Sequence, residues 1–325
     1  MKRSLLFFIS LFLLSAFSFQ RDQIRIVGSS TLYPFVSIAA EYFAKKTLNK
    51  TPVVEATGSG SGIKLFCGGD SMKYPDIVNS SRKIKESETG LCHKHNISNI
   101  EEITLGFDGI VISKVKEDSK RFQLTSSELY QALAKYIVRN NKIILNDNQF
   151  WSDINNELPK IKIEIYGPTH GSGTRDALTD IILVRKCINQ EQIKNLYPNE
   201  RERNIFCSLI REDGHYIESG ENDNLIISKL INNHNAFGVI SFNYLETNSD
   251  RVSAVKIDGV YPTKSSIINN EYPISRPLYM YINKDHLKFL PSLEAFIKAI
   301  RSDEYIGVNG ILVRNGLIVS QSNQH

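Results

Sequence analysis

Ile24-Arg25-Ile26-Val27-Gly28-Ser29-Ser30-Thr31 is a β-rich run that ends in a loop of glycine and hydroxyl residues. The chain makes the same arrangement twice more. Val53-Val54-Glu55-Ala56 leads into Thr57-Gly58-Ser59-Gly60-Ser61-Gly62, and Ile161-Lys162-Ile163-Glu164-Ile165-Tyr166 leads into Gly167-Pro168-Thr169-His170-Gly171-Ser172-Gly173-Thr174-Arg175. After each loop the apolar spacing turns helical. Such a loop offers hydroxyl donors and backbone N–H groups at the positive end of a helix, which is the chemistry of an oxyanion site. Three of them in one chain point to one anion held from several sides.

Working outward, Phe35, Ile38, Ala39, Tyr42 and Phe43 form a helical stripe over 35–46, with Pro34 suited to its first turn. Ile63, Leu65 and Phe66 mark a short helix ending near Gly68-Gly69, and Arg175–Cys187 reads as a longer one. Helices are also expected over Ser126–Lys135, Asn222–Asn232 and Ser292–Ser302. Strands are expected at Ile24–Val27, Val53–Ala56, Asp76–Asn79, Ile110–Ser113, Ile161–Tyr166, Gly238–Ser241, Val252–Ile257 and Leu278–Ile282. Strands alternating with helices predict α/β layers on a mainly parallel sheet.

No low-complexity linker divides the chain, as expected if two domains are joined by more than one crossing strand. Leu105–Ile112 and Tyr272–Ile282, both apolar and extended, are the candidate crossings. The expected division is domain I over 19–109 and 277–325, and domain II over 110–276. The amino terminus, Met1-Lys2-Arg3 followed by an apolar run from Leu5 to Phe19, reads as a secretory signal peptide cut after Ser18; the competing reading is an uncleaved anchor. Without residues 1–18 the 39 basic residues fall to 37 against 35 acidic, a net charge of +2. That near-neutral balance gives no reason to expect a nucleic-acid partner.

Cys67, Cys92, Cys187 and Cys207 are an even set in a chain expected to be exported, which suggests disulfides. Three pairings exist; the sequential one, Cys67 with Cys92 and Cys187 with Cys207, closes two local loops and is the expected one. The competing metal site lacks a CxxC spacing and has only His93 and His95 as nearby imidazoles.

The three loops belong to a larger ordered set. Gly28-Ser29-Ser30-Thr31-Leu32-Tyr33-Pro34-Phe35, Thr57–Lys64, Pro75-Asp76-Ile77-Val78-Asn79-Ser80-Ser81-Arg82, Gly106-Phe107-Asp108-Gly109-Ile110, Gly171–Asp176 and Tyr272-Pro273-Ile274-Ser275-Arg276-Pro277-Leu278 follow one another along the chain. Together they resemble the periplasmic phosphate-binding protein of the high-affinity bacterial phosphate ABC transporter. The resemblance implies a type II periplasmic-binding-protein fold, with two α/β domains, a hinge and a central ligand cleft. It also implies a monomer without a cofactor, with inorganic phosphate as ligand and a membrane permease and ATPase as partners. Carried over by position, the phosphate contacts fall on Thr31 and the backbone of Leu32, on Ser59, and on Ser172, Gly173 and Thr174; Ser30 adds a neighbouring hydroxyl. Two positions depart from the pattern. The family's proton-accepting aspartate corresponds to Ser81, and its phosphate-pairing arginine to Pro168. Arg82 and Arg175 are the adjacent cations expected to substitute, and Asp108 the expected acceptor.

The residue types suit that ligand. HPO₄²⁻ has one P–OH proton for a carboxylate to accept, whereas sulfate has none and is repelled. A mismatched buried partner costs about 1–3 kcal/mol, more for charged groups. Arginine adds a planar, charge-assisted contact. Arg175 falls in the first turn of its helix, where the dipole disfavours a cation and a nearby dianion offsets this. Simpler roles compete: Ser29 and Ser30 as helix caps, Arg82 as a surface ion-pair partner, Asp108 as a backbone ligand at the hinge, Asn222 as a cap, Asp76 and Trp151 as structural residues. Another tetrahedral oxyanion, sulfate or molybdate, is the alternative ligand. A secreted phosphatase is the alternative activity, but Gly60 stands at the centre of Gly58–Gly62 where a GxSxG elbow needs serine, and no HExxH is present.

Overall fold

Nine strands form the large sheet of the computed structural model, which describes residues 21–119, 122–170, 172–220 and 222–320. In chain order they are β1 (Arg25–Gly28), β2 (Val53–Ala56), β3 (Ile77–Ser80), β4 (Ile100–Val115), β5 (Ile165–Gly167), β6 (Tyr216–Glu218), β7 (Phe237–Ser241), β8 (Val252–Ala254) and β9 (Ser275–Asn283). The order across the sheet is β2-β1-β3-β9-β4-β7-β5-β6, with β8 added to β4. The expected signal segment 1–18 and Gly171 lie outside the described residues.

The sheet is less parallel than the alternation of elements predicts. β1 pairs in parallel with β2 and β3, and β5 with β6 and β7. Every pairing of β4 or β9 is antiparallel. The reason is connectivity: β4 and β9 run between the two halves in opposite directions. β4 is 16 residues long. Its first part, Ile100–Gly109, pairs with β9, and from Ile110 onward its partners are β7 and then β8.

The apolar side chains collect on either side of that change of partner. One core gathers residues from Ile110 to Ile274, together with Ile318, around a fully buried Trp151 whose ring sits 4.7 Å from that of Phe237. The other side holds two clusters built from residues 24–105 and 278–317. β1 and β3 are buried on both faces apart from Arg25, and in β3 the buried run includes the polar Asn79 and Ser80.

Helix Tyr33–Lys46 buries Val36, Ala39, Ala40 and Phe43, spaced three, one and three residues apart as one helical face requires. Phe35, Ile38 and Tyr42 flank that face half-buried, so the stripe lies one residue round from the expected one. The helix expected over Arg175–Cys187 begins at Gly173 and changes hydrogen-bond period midway: Thr179–Val184 is π-helical between α segments. Neither Ser29 nor Ser30 caps helix Tyr33–Lys46, whose N-cap is Leu32. Asn222 does cap helix Asp223–Asn232, accepting from Asn224 N at 3.0 Å.

Both disulfides follow the sequential pairing. Cys67–Cys92 ties the end of helix Ser59–Phe66 to helix Glu86–Lys94. Cys187–Cys207 ties the end of the Gly173–Cys187 helical run to helix Glu200–Cys207.

Candidate functional site

The first two loops are brought together by close backbone packing. Gly28 ends β1 with φ +130°, and a Cβ there would lie 2.1 Å from the Asn79 carbonyl oxygen. Gly62, in helix Ser59–Phe66, packs onto it so closely that its own Cβ would lie 2.6 Å from Gly28 Cα. Only glycine permits either approach.

The third loop comes from the other half of the molecule. Gly173, first residue of helix Gly173–Leu178, lies against Thr31, where a Cβ would be 2.7 Å from Thr31 Cα and N. Thr31 Oγ1 donates to the Gly173 carbonyl at 3.1 Å, and Ser30 Oγ donates to Asp176 Oδ2 at 2.9 Å. The first turns of helices Tyr33–Lys46, Ser59–Phe66 and Gly173–Leu178 therefore lie around one point, Thr31.

Two cavities flank that contact, and Ser30 and Thr31 line both. One, about 400 Å³, brings Ser59, Ser81 and Arg82 to them. The other, about 520 Å³, brings Asp108, Ser172, Gly173 and Thr174. Ser59 and Ser81 share a hydrogen bond, with their hydroxyls 3.2 Å apart and Ser81 N donating to Ser59 Oγ at 3.1 Å. Leu32 buries its side chain in the core and lines neither cavity.

The two expected cations have carboxylate partners. Arg82 grips Glu88 with both terminal nitrogens, at 2.8 and 2.6 Å. That partner raises the Arg82 pKa, while Glu88, which burial alone would push up, is held below its usual range by Arg82 and the Lys85 amide. Arg175 lies over the Tyr216 ring and pairs with Glu218, and it lines neither cavity.

Arg276, within the Tyr272–Leu278 motif, lines neither cavity but reaches the convergence of the loops through Thr31. It sits in β9 opposite Asp108 of β4. Its side chain is only 5 % exposed, and its Nη2 donates to Thr31 Oγ1 at 2.7 Å. Its Nε is 3.6 Å from Asp108 Oδ2 and its Nη1 3.8 Å from Asp180 Oδ2, within ion-pair range. Buried Nε makes no hydrogen bond. Burial raises the Asp108 carboxyl above its ordinary value against the pull of Arg276, and lowers the Arg276 guanidinium against the pull of Asp108 and Asp180. Both shifts favour the neutral forms, so desolvation exceeds the attraction within the pair. A dehydrated cation with an unused donor, beside a carboxyl and the Thr31 hydroxyl, is suited to an anion that carries a proton. The available signal was a single charged residue, Arg276, inside the mostly apolar segment Tyr272–Ile282.

Asp76, expected to be structural, is fully buried and accepts from Arg21, from Arg25 N and from His286. Among the described residues no cluster of His, Cys, Asp and Glu is placed to hold a metal ion, and no helix is long and apolar enough to cross a membrane.

A family model described as a PBP superfamily domain matches residues 16–304. The chain belongs to the PBP superfamily. Among similar members, protein SphX of Synechococcus elongatus is 26 % identical over 285 residues, covering 86 % of this chain and 73 % of that protein. The phosphate-binding protein PstS of Staphylococcus saprophyticus is 26 % identical over 282 residues, covering 85 % and 75 %. A crystal structure of a possible phosphate-binding protein from Planctomyces limnophilus superposes with a TM-score of 0.73 at 26 % identity, covering 93 % of this PBP-superfamily chain and 94 % of the other.

Proposed function

We propose that this PBP-superfamily chain captures inorganic phosphate in the cleft between two lobes and delivers it to an ABC importer. The lobes are residues 19–109 with 277–325, and residues 110–276, joined at β4 and β9. The observation that carries the reading is the contact of buried Arg276 with Thr31, where three anion-suited loops meet. The names of the Staphylococcus and Planctomyces relatives support phosphate as the anion.

In this reading phosphate competes for the donors that now serve protein groups. Thr31 Oγ1, which donates to the Gly173 carbonyl, turns to a phosphate oxygen, and Arg276 supplies the charge. Ser59 and Ser81 approach from one side, Ser172, Gly173 and Thr174 from the other, and Asp108 accepts the P–OH proton. Arg82 and Arg175 act mainly through their ion pairs with Glu88 and Glu218, at the edge of the site. Lobe movement about β4 and β9 opens and closes this arrangement, and the closed surface is what a membrane permease with its ATPase reads. Export by the signal segment to the periplasm places the protein there as a monomer. No catalytic step is part of this reading.

Isothermal titration of residues 19–325, stripped of phosphate, with phosphate and separately with sulfate tests it. One-to-one phosphate binding without sulfate heat is expected. Equal binding of both anions would reassign the chain to a broader oxyanion binder, and binding of neither would overturn the reading.

A further inference from the structure

The larger cavity offers more space than a phosphate ion fills. It measures about 520 Å³ and begins at the hydroxyls of Ser172 and Thr174 and the carboxyl of Asp108. From there its wall includes the aromatic side chains of Tyr33, Phe35, Phe107, Phe242 and Tyr244 among small and polar residues. These side chains come from both sides of the change of partner in β4, and Asn243, which packs against Gly316 of the C-terminal segment, closes one side. Polar groups that suit an anion thus share one continuous space with an apolar wall, the composition of a site for an amphiphilic small molecule.

We propose that this cavity accepts the organic substituent of a phosphonate, with its PO₃ group at the phosphate site and a small aromatic group against Tyr33, Phe107 and Phe242. This rests on the phosphate reading above and extends its substrate class. The hydroxyls of Ser172 and Thr174 open into the same cavity that Asp108 lines, so one valence of phosphorus can carry a substituent into it while a separate P–OH turns to Asp108. Protonation chemistry favours carbon over oxygen at the link. A phosphomonoester has a second pKa of about 6 and has mostly lost its P–OH proton at neutral pH. A phosphonate is more basic, because carbon withdraws less charge than oxygen, so it keeps a P–OH for the Asp108 carboxylate to accept. Aromatic substituents gain most from such a wall through offset and edge-to-face contacts.

The test titrates the phosphate-stripped chain with inorganic phosphate, phenylphosphonate and phenyl phosphate, in wild type and two variants. Tyr33→Ala removes part of the cavity wall at a residue 43 % exposed. Asn243→Trp fills the cavity. Phenylphosphonate is expected to bind within about tenfold of phosphate and more tightly than phenyl phosphate, by the amphiphilic pocket logic above. Tyr33→Ala is expected to weaken phenylphosphonate by about two- to tenfold, the scale of one lost aromatic contact, and Asn243→Trp by more, while phosphate moves less than about twofold in either. Phosphate binding without phenylphosphonate binding, or phenylphosphonate binding untouched by both variants, overturns the subsite and leaves the phosphate reading intact. Phenylphosphonate binding without phosphate binding overturns the phosphate reading and keeps the subsite; binding of neither removes both.

Discussion

Arg276 Nη2 donates to Thr31 Oγ1 across 2.7 Å, joining two residues 245 positions apart in the chain. The bond ties β9, one of the two strands that cross the molecule, to the first of the three glycine and hydroxyl loops. Because Thr31 in turn donates to the Gly173 carbonyl, one hydroxyl connects both halves and the cation between them. Any anion placed among these loops must compete with that arrangement, and Arg276 is the charge that makes the competition favourable.

Replacing Arg276 should therefore have the largest effect of any cation. Arg276→Met keeps most of the volume and removes the charge. A charge-assisted hydrogen bond contributes about 1.5–3 kcal/mol, so phosphate affinity should fall by roughly ten- to over a hundredfold. Arg82→Ala and Arg175→Ala, which remove cations already paired with Glu88 and Glu218, should cost less. Titration calorimetry on the three variants ranks them. An Arg276→Met protein that binds phosphate within twofold of wild type would remove this residue from the site.

Asp108 should set the discrimination against sulfate. Asp108→Asn removes the acceptor for the P–OH proton, and phosphate binding should weaken by about 1–3 kcal/mol while sulfate rejection relaxes. Burial raises the Asp108 pKa, so its acceptor form is lost at a higher pH than for an ordinary carboxyl. As pH falls through that raised value the wild-type carboxylate becomes neutral, and the difference between wild type and Asp108→Asn should shrink. Titrations of both proteins with phosphate across acid to neutral pH measure it. A difference constant over that range would mean that ionised Asp108 is not the acceptor.

The Cys67–Cys92 bridge should matter to the second loop as well as to stability. It closes a separation of 25 residues and fixes the C-terminal end of helix Ser59–Phe66, whose first turn carries Ser59. Loop-closure entropy puts its contribution at about 3.5 kcal/mol. Cys67→Ser with Cys92→Ser should lower the thermal midpoint and weaken phosphate binding modestly, both read by melting curves with and without phosphate. An unchanged midpoint would make the bridge dispensable.

The loops and their helices were legible because glycine, serine and threonine after a β-branched run have a strong local meaning. The apolar stretches Leu105–Ile112 and Tyr272–Ile282 were legible as extended segments; the first lies in β4, and the second joins β9 from Ser275 onward. Strand direction was not, since a period of two is the same for parallel and antiparallel pairing, and half of the large sheet's pairings depend on how β4 and β9 return. The π-helical stretch Thr179–Val184 was also hidden, because its apolar spacing suits an α-helix nearly as well. Arg276 was missed for a different reason. Its role depends on Thr31, Asp108 and Asp180, which come from three distant segments, whereas Arg82 and Arg175 stand next to the loops in sequence. Local proximity drew attention to cations that the fold pairs elsewhere.

Asp76 gives a prediction about stability alone. Its carboxylate is buried, with Arg21 at 2.6 Å, Arg25 N at 2.7 Å and His286 Nδ1 at 2.6 Å. Burial would raise its pKa, but hydrogen bonds from His286, Arg21 and the Arg25 amide outweigh that and hold it below the usual carboxylate range. A group depressed on folding stabilises the native state fully above its unfolded pKa of about 4 and loses that contribution as pH falls through the folded value. Asp76→Asn removes the charge and leaves Arg21 and His286 facing a neutral group, at a cost of about 3–5 kcal/mol near neutral pH. The gap in unfolding free energy between wild type and variant should be widest near neutrality and close in strong acid. Urea unfolding of both proteins at several pH values checks the sign: a gap that widens as pH falls would contradict a depressed Asp76.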